Sequence, residues 1–188
     1  MTDYPAADTI YESVASVRAP IIHEMLAYWQ SKRAGGRLPR PADIDPTEIP
    51  RLIASIVISD IETRPFRVRN RLAGTRQVHI LGNELTGRYV DEMNWEEGPF
   101  VHRIFARAHE TGAPVFGFYY WGFRENTPGA SEFGLFPLSE DGVTVNRVLG
   151  IDEFFPESGS PVFGGRRPLL RRGGRGGTMT ASRQHPGV

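Results

Sequence analysis

Few residues in this chain of 188 are of types and spacings that could do chemistry. His102 and His109 are seven apart and fall near one face of a helix, where an imidazole could bind a metal or move a proton. Both sit at the edge of the apolar stripe Val101, Ile104, Phe105 and Ala108, so a boundary role competes with ligation. Asp43 and Asp45 resemble an acidic pair, but Asp45 precedes Pro46-Thr47-Glu48 and is accounted for as a helix cap. Asp43 is left to tie its segment to Arg40 or to the core. Arg67, Arg69 and Arg71 alternate along a strand and could meet an anion; a solvated face paired with acids is the simpler reading. There is no cysteine, so thiolate nucleophiles, disulfides and cysteine-ligated metals are excluded. No Walker loop and no nucleophile-elbow serine is present, and no set of residues is assembled for catalysis. A non-enzyme is therefore expected.

The elements that must position these residues follow from pattern. Ile10, Val14, Val17 and Ile21, then Ile22, Met25, Leu26 and Trp29, recur at three and four residues. This predicts an amphipathic helical segment over 10–33, kinked or restarted at Pro20. Ile56–Ile61 and Phe66–Leu72 read as strands. Phe100–Thr111 reads as the longest helix of the remainder, opened by Trp95 to Pro99 and stopped by Gly112 and Pro114. Three strand-like runs follow: Val115–Phe123, Glu132–Leu138 and Val143–Ile151. Glu125–Gly129 is read as the first turn between them, and Glu140-Asp141-Gly142 as the hairpin turn.

Two strands, helices and three strands predict an α+β fold, one five-stranded antiparallel sheet with helices on one face, preceded by an N-terminal helical segment. Along the aromatic third strand, Phe116, Phe118 and Tyr120 share one face, and Tyr119, Trp121 and Phe123 the other. Both faces need cover. The central helices supply one, and the N-terminal helix supplies the other, from its own chain or a second copy.

The formal charge is zero, but residues 164–188 hold six arginines and no acid, leaving a net charge of −6 on residues 1–163. Past about Pro156 the composition turns to Gly, Arg, Ser and Pro, which cannot bury enough apolar surface to fold alone. The expected organisation is a helical segment over 1–36, a domain over 37–156 and a Gly/Arg-rich tail over 157–188. Two Arg-Gly-Gly units make nucleic-acid binding through the tail an alternative rather than the main reading. No membrane-length apolar run and no signal-peptide pattern occurs, so a cytoplasmic location without membrane contact is expected.

One stretch ties this order to a family. Ile80-Leu81-Gly82-Asn83-Glu84-Leu85-Thr86-Gly87-Arg88 lies between the strand pair and the long helix. With Trp29, Pro39-Arg40-Pro41-x-Asp43-Ile44-Asp45-Pro46, Arg71-Leu72-x-Gly74-Thr75 and Pro137-Leu138, it resembles the PAS superfamily, in particular small single-domain PAS proteins of alphaproteobacteria. The resemblance spans about residues 37–155. It implies a sensory or adaptor module that acts in trans on a signalling protein, as a homodimer, with or without a small ligand in its core. It names no cofactor: PAS domains hold haem, flavins, organic acids or nothing. In haem-binding members a histidine of the long helix is the axial ligand, which makes His102 or His109 the alternative site. The flavin photosensors need an adduct-forming cysteine, which is missing here. The expected ligand pocket comprises His102, Phe105, Phe116, Phe118 and Tyr120. The expected dimer or partner surface comprises Val14, Val17, Ile21, Trp29 and Trp121.

Overall fold

The computed structural model describes residues 5–93, 97–121 and 129–156. Trp95, Phe123, residues 125–128 of the expected turn and the Gly/Arg-rich tail lie outside them. The chain begins with a two-residue strand, β1 (Thr9–Ile10), and helix α1 (Pro20–Ser31). After a run of 3-10 turns come the hairpin β2 (Ile56–Thr63) and β3 (Phe66–Ala73), then helices α2 (Thr75–Leu81) and α3 (Gly98–Thr111). Strands β4 (Val115–Trp121), β5 (Gly129–Leu138) and β6 (Arg147–Pro156) complete the described chain. All pairings are antiparallel, and the sheet order is β1-β4-β5-β6-β2-β3. The five expected strands are present, and β1 adds a sixth.

The N-terminal segment departs from the expected continuous helix. Pro20 has no N–H and a fixed φ, so it suits the first turn of α1 and not the middle of a longer helix. Ahead of it, Ser13 caps a 3-10 turn over Val14–Ser16 by accepting the Ala15 N–H. Ile10 leaves the helical pattern altogether and pairs with Gly117 on β4. Apolar spacing alone does not distinguish a helix from a strap laid along a sheet.

Two apolar layers sandwich the sheet. On the inner face, Leu81, Leu85, Val101, Ile104 and Phe105 pack against Val115, Phe133, Leu135 and Val148. On the outer face, Ile22, Met25 and Trp29 of α1 pack against Phe116, Phe136, Leu149 and Ile151. The alternation of the central strands therefore serves two cores, which is why β4 to β6 are largely apolar at successive positions. Trp29 Nε1 donates to the buried carbonyl of Pro137 at 2.8 Å and pins the end of α1 to β5. Gly134 lets α1 approach: a Cβ there would stand 2.9 Å from Ile22 Cγ2.

The expected cap at Asp45 and the tie of Asp43 to Arg40 both form. Asp45 accepts the Thr47 N–H at 2.8 Å, and the Thr47 hydrogen bonds hold its carboxyl below its ordinary pKa. Asp43 accepts the Arg40 N–H and its guanidinium at 2.8 and 3.0 Å. In the β5–β6 connection Asp141 accepts from the Ser139 hydroxyl and from the Val143 and Thr144 N–H groups. These bonds keep its carboxyl far below the usual carboxylate range.

Candidate functional site

The inner layer is not fully packed. A cavity of about 60 Å³ lies between the sheet and helices α2 and α3. Its apolar wall includes Leu81, Leu85, Val101, Ile104, Phe105 and Leu135; its polar side is formed by Asn70, Gln77, Tyr119 and Asp152. Each polar residue is brought there by its element. Asp152 occupies an inward position of β6, in line with Val148, Gly150 and Phe154. Gln77 lies one turn before Leu81 on α2 and is almost fully buried. Asn70 faces inward from β3 and holds the Ser59 hydroxyl at 3.0 Å.

The polar groups form a connected set. Gln77 Nε2 donates to Asp152 Oδ2 at 2.9 Å and to the Ser55 carbonyl at 2.8 Å. Tyr119 OH donates to Asp152 Oδ1 at a longer 3.4 Å. Burial pushes the Asp152 carboxyl up to about 6, against the pull of the Gln77 and Tyr119 hydrogen bonds; Glu153 nearby adds to the rise. Burial, with the Asp152 charge, also pushes the Tyr119 phenol well above its ordinary value. Both residues keep partial accessibility although they lie deep in the fold, as expected of groups that border a cavity.

Of the residues expected to form a pocket, Phe105 lines this cavity and the other four lie elsewhere. Phe116 belongs to the outer core, and Phe118 and Tyr120 share its face of β4. The pocket residues expected from β4 thus lie on the face turned away from the cavity. Tyr119 and Trp121 carry donors that find partners on the inner side, Asp152 and the Ser131 hydroxyl at 2.9 Å. Trp121, expected on a partner surface, is thus an inner-core residue packed against Phe154. Val17 and Trp29 are buried against their own sheet, with Val14 and Ile21 half-buried at the margin of the same layer. The cover of the outer face comes from the same chain.

His102 is exposed and its ring meets Phe66 edge-on at 4.9 Å. His109 places Nδ1 2.8 Å from the Val145 carbonyl and also flanks Phe66. Neither lines the cavity, which is besides far smaller than a haem. The residues do not fit that group. The arginine row of β3 is engaged: Arg67 binds Asp91 and Glu92 at 2.8 and 2.7 Å, and Arg71 reaches Asp60. Arg69 contacts the Gly87 carbonyl and the Tyr89 ring. Among the described residues no group of three or more metal-ligating side chains is found. None of the described helices is long and apolar enough to cross a membrane.

A wider hollow of about 680 Å³ opens on the surface between Lys32, Arg40, Asp43 and Glu140. Its charges answer one another, as in Lys32 with Glu48 and Arg40 with Asp43. The inner cavity is the better candidate, since small-molecule sites combine apolar walls with a few convergent polar groups.

A buried acid on the other face completes the arrangement. Glu132 of β5 is fully buried and accepts the N–H groups of Arg18 and Ala19 at 3.0 and 2.6 Å and the Tyr11 hydroxyl at 3.0 Å. It pairs the two N–H groups just ahead of α1, whose N-cap residue, Ala19, has no side-chain cap. Asp152 and Glu132 both escaped the sequence reading. Their signal was an acid at a position otherwise filled by apolar residues along a buried strand.

An antiparallel sheet, a short helical connection, a long helix and a cavity beneath them make up an α+β fold. The sequence model of the PAS domain family matches residues 17–152, and the chain belongs to that family. The match includes α1. Similar solved structures include a LOV protein of Rhodobacter sphaeroides, 16% identical, with a TM-score of 0.41 over 62% of this chain and 71% of that one. An RNA-binding light-oxygen-voltage receptor is 13% identical, with a TM-score of 0.42; the match covers 77% of this chain and 36% of the receptor. The light and RNA functions in those descriptions are those proteins' own. A search of curated protein sequences gives no match.

Proposed function

We propose that this PAS protein is a sensory or adaptor module, not an enzyme, that holds a small molecule in its inner cavity and acts in trans on a signalling partner. The carrying observation is an adjacency repeated on three strands. Tyr119 borders the cavity, and its neighbour Tyr120 holds the N-terminal strap through Asp8 and the Pro5 carbonyl at 2.9 and 2.7 Å. Phe133 borders the cavity, and its neighbour Glu132 holds the entry to α1. Asp152 borders the cavity, and its neighbour Ile151 packs in the outer core with α1.

An occupant that shifts these strands biases two arrangements of the strap, the differential contact that signalling requires. A signalling protein in the cytoplasm, or a second copy forming a homodimer, would read the strap and the margin of α1 near Val14 and Ile21.

The test uses a substitution as a stand-in for an occupant. Val101→Phe adds a ring into the cavity from α3. Amide exchange at Arg18 and Ala19 is expected to change by about threefold or more. A control variant of equal global stability, altered away from the cavity, should leave it unchanged. Equal exchange in the filled variant and the wild type would refute the coupling.

A further inference from the structure

Resting on the reading that the inner cavity holds a ligand, the chemistry of its wall narrows what that ligand is. Among the described residues the lining contains no Lys, Arg or His; its titratable groups are the acids Tyr119 and Asp152. The nearest guanidinium on α2, that of Arg76, is committed to Glu153 at 2.7 Å. A carboxylate or phosphate placed in the cavity would lose its water and face the Asp152 carboxyl without a counter-charge.

The acceptors point the other way. Asp152 receives one good hydrogen bond, from Gln77, and one long one, from Tyr119, so its two oxygens have capacity left. Gln77 spends its amide nitrogen on Ser55 and Asp152, which leaves its oxygen as an acceptor at the wall. Asn70 is bonded through the Ser59 hydroxyl, which can donate or accept, so either end of this amide can be presented. Three aromatic rings, Phe105, Tyr119 and Phe133, also border the space, and ring faces attract cations. The apolar side, including Leu81, Leu85, Val101 and Leu135, suits a short alkyl group. Its volume of about 60 Å³ holds only a few heavy atoms.

We infer that the cavity selects a small organic cation, an aliphatic amine or amidine, whose N–H groups pair with Asp152 and Gln77 while its alkyl end lies against α3. Acetamidinium, acetamide and acetate are near-isosteres that are cationic, neutral and anionic. Each is added to the full-length 15N-labelled protein at the same concentration, pH 7.5 and constant ionic strength. Acetamidinium is expected to shift the amide signals of Gln77, Phe133 and Asp152 saturably, at least about tenfold more tightly than acetamide. Acetate is expected to leave them unmoved. Asp152→Asn should remove the preference for the cation. Acetamide or acetate binding as well as acetamidinium in the wild type would overturn the inference while leaving the ligand reading intact. The wild-type series decides even if the variant does not fold. No shift with any probe also overturns it; a native mass spectrum carrying a retained molecule would then keep the ligand reading, and a bare one would remove both.

Discussion

The Glu132 carboxylate accepts the Ala19 N–H at 2.6 Å across 113 residues of sequence, closing a hydrogen bond between the middle of β5 and the residue before α1. The two N–H groups it pairs, those of Arg18 and Ala19, lie just ahead of the first helical turn, where the chain passes from the strap into α1. Here it also holds Tyr11, so one buried acid fastens both the strap and the helix. Removing it strands two backbone donors in the interior. Glu132→Ala is expected to cost about 2–4 kcal/mol in urea unfolding, and Glu132→Gln less, since its amide oxygen still accepts.

Asp152 makes stability depend on pH in a defined direction. Its folded pKa of about 6 lies above the ordinary aspartate value of 3.8, so the folded protein holds the proton more tightly. The folded state therefore binds more protons between about pH 4 and 6, and this group's contribution falls as pH rises through that window. Against wild type, Asp152→Asn should gain stability progressively from pH 4 to 7, by up to about 3 kcal/mol. Urea midpoints of the two proteins at a series of pH values read this directly; parallel profiles would contradict it.

The contact of α1 with the sheet is close at Gly134. Gly134→Val would press on Ile22 and the Phe136 ring, with an expected loss of about 1–3 kcal/mol. Trp29→Phe keeps the ring packing but leaves the buried Pro137 carbonyl without its donor, at about 1–2 kcal/mol. By contrast Arg71→Ala, which breaks an exposed pair with Asp60 at 3.4 Å, should change the thermal midpoint little.

Much of the fold was legible because period and punctuation agree. β2 follows from its β-branched run, β3 and α3 from their alternation and stripe and from Gly112, the turn at Asp45 from capping chemistry, and the β5–β6 connection from Glu140-Asp141-Gly142. The strap was not legible: Ile10, Val14 and Val17 have helical spacing, and only the long-range pairing of Ile10 with Gly117 overrides it. The face assignment of β4 also failed on local grounds. Both faces are aromatic and both carry donors with partners, Tyr119 and Trp121 inward and Tyr120 outward, so the parity depends on how the two whole layers pack. The candidate site was largely hidden for the same reason. Of its wall only Phe105 was anticipated, because Gln77, Tyr119 and Asp152 converge from α2, β4 and β6.

The central claim is that the inner cavity holds a small molecule. Native and denaturing mass spectra of freshly purified full-length protein test it most directly. The expected native mass exceeds that of the chain, or of its dimer, by a small increment that disappears on denaturation and is lost in Val101→Phe. A native mass equal to that of the bare polypeptide, in the wild type as in the filled variant, would contradict it.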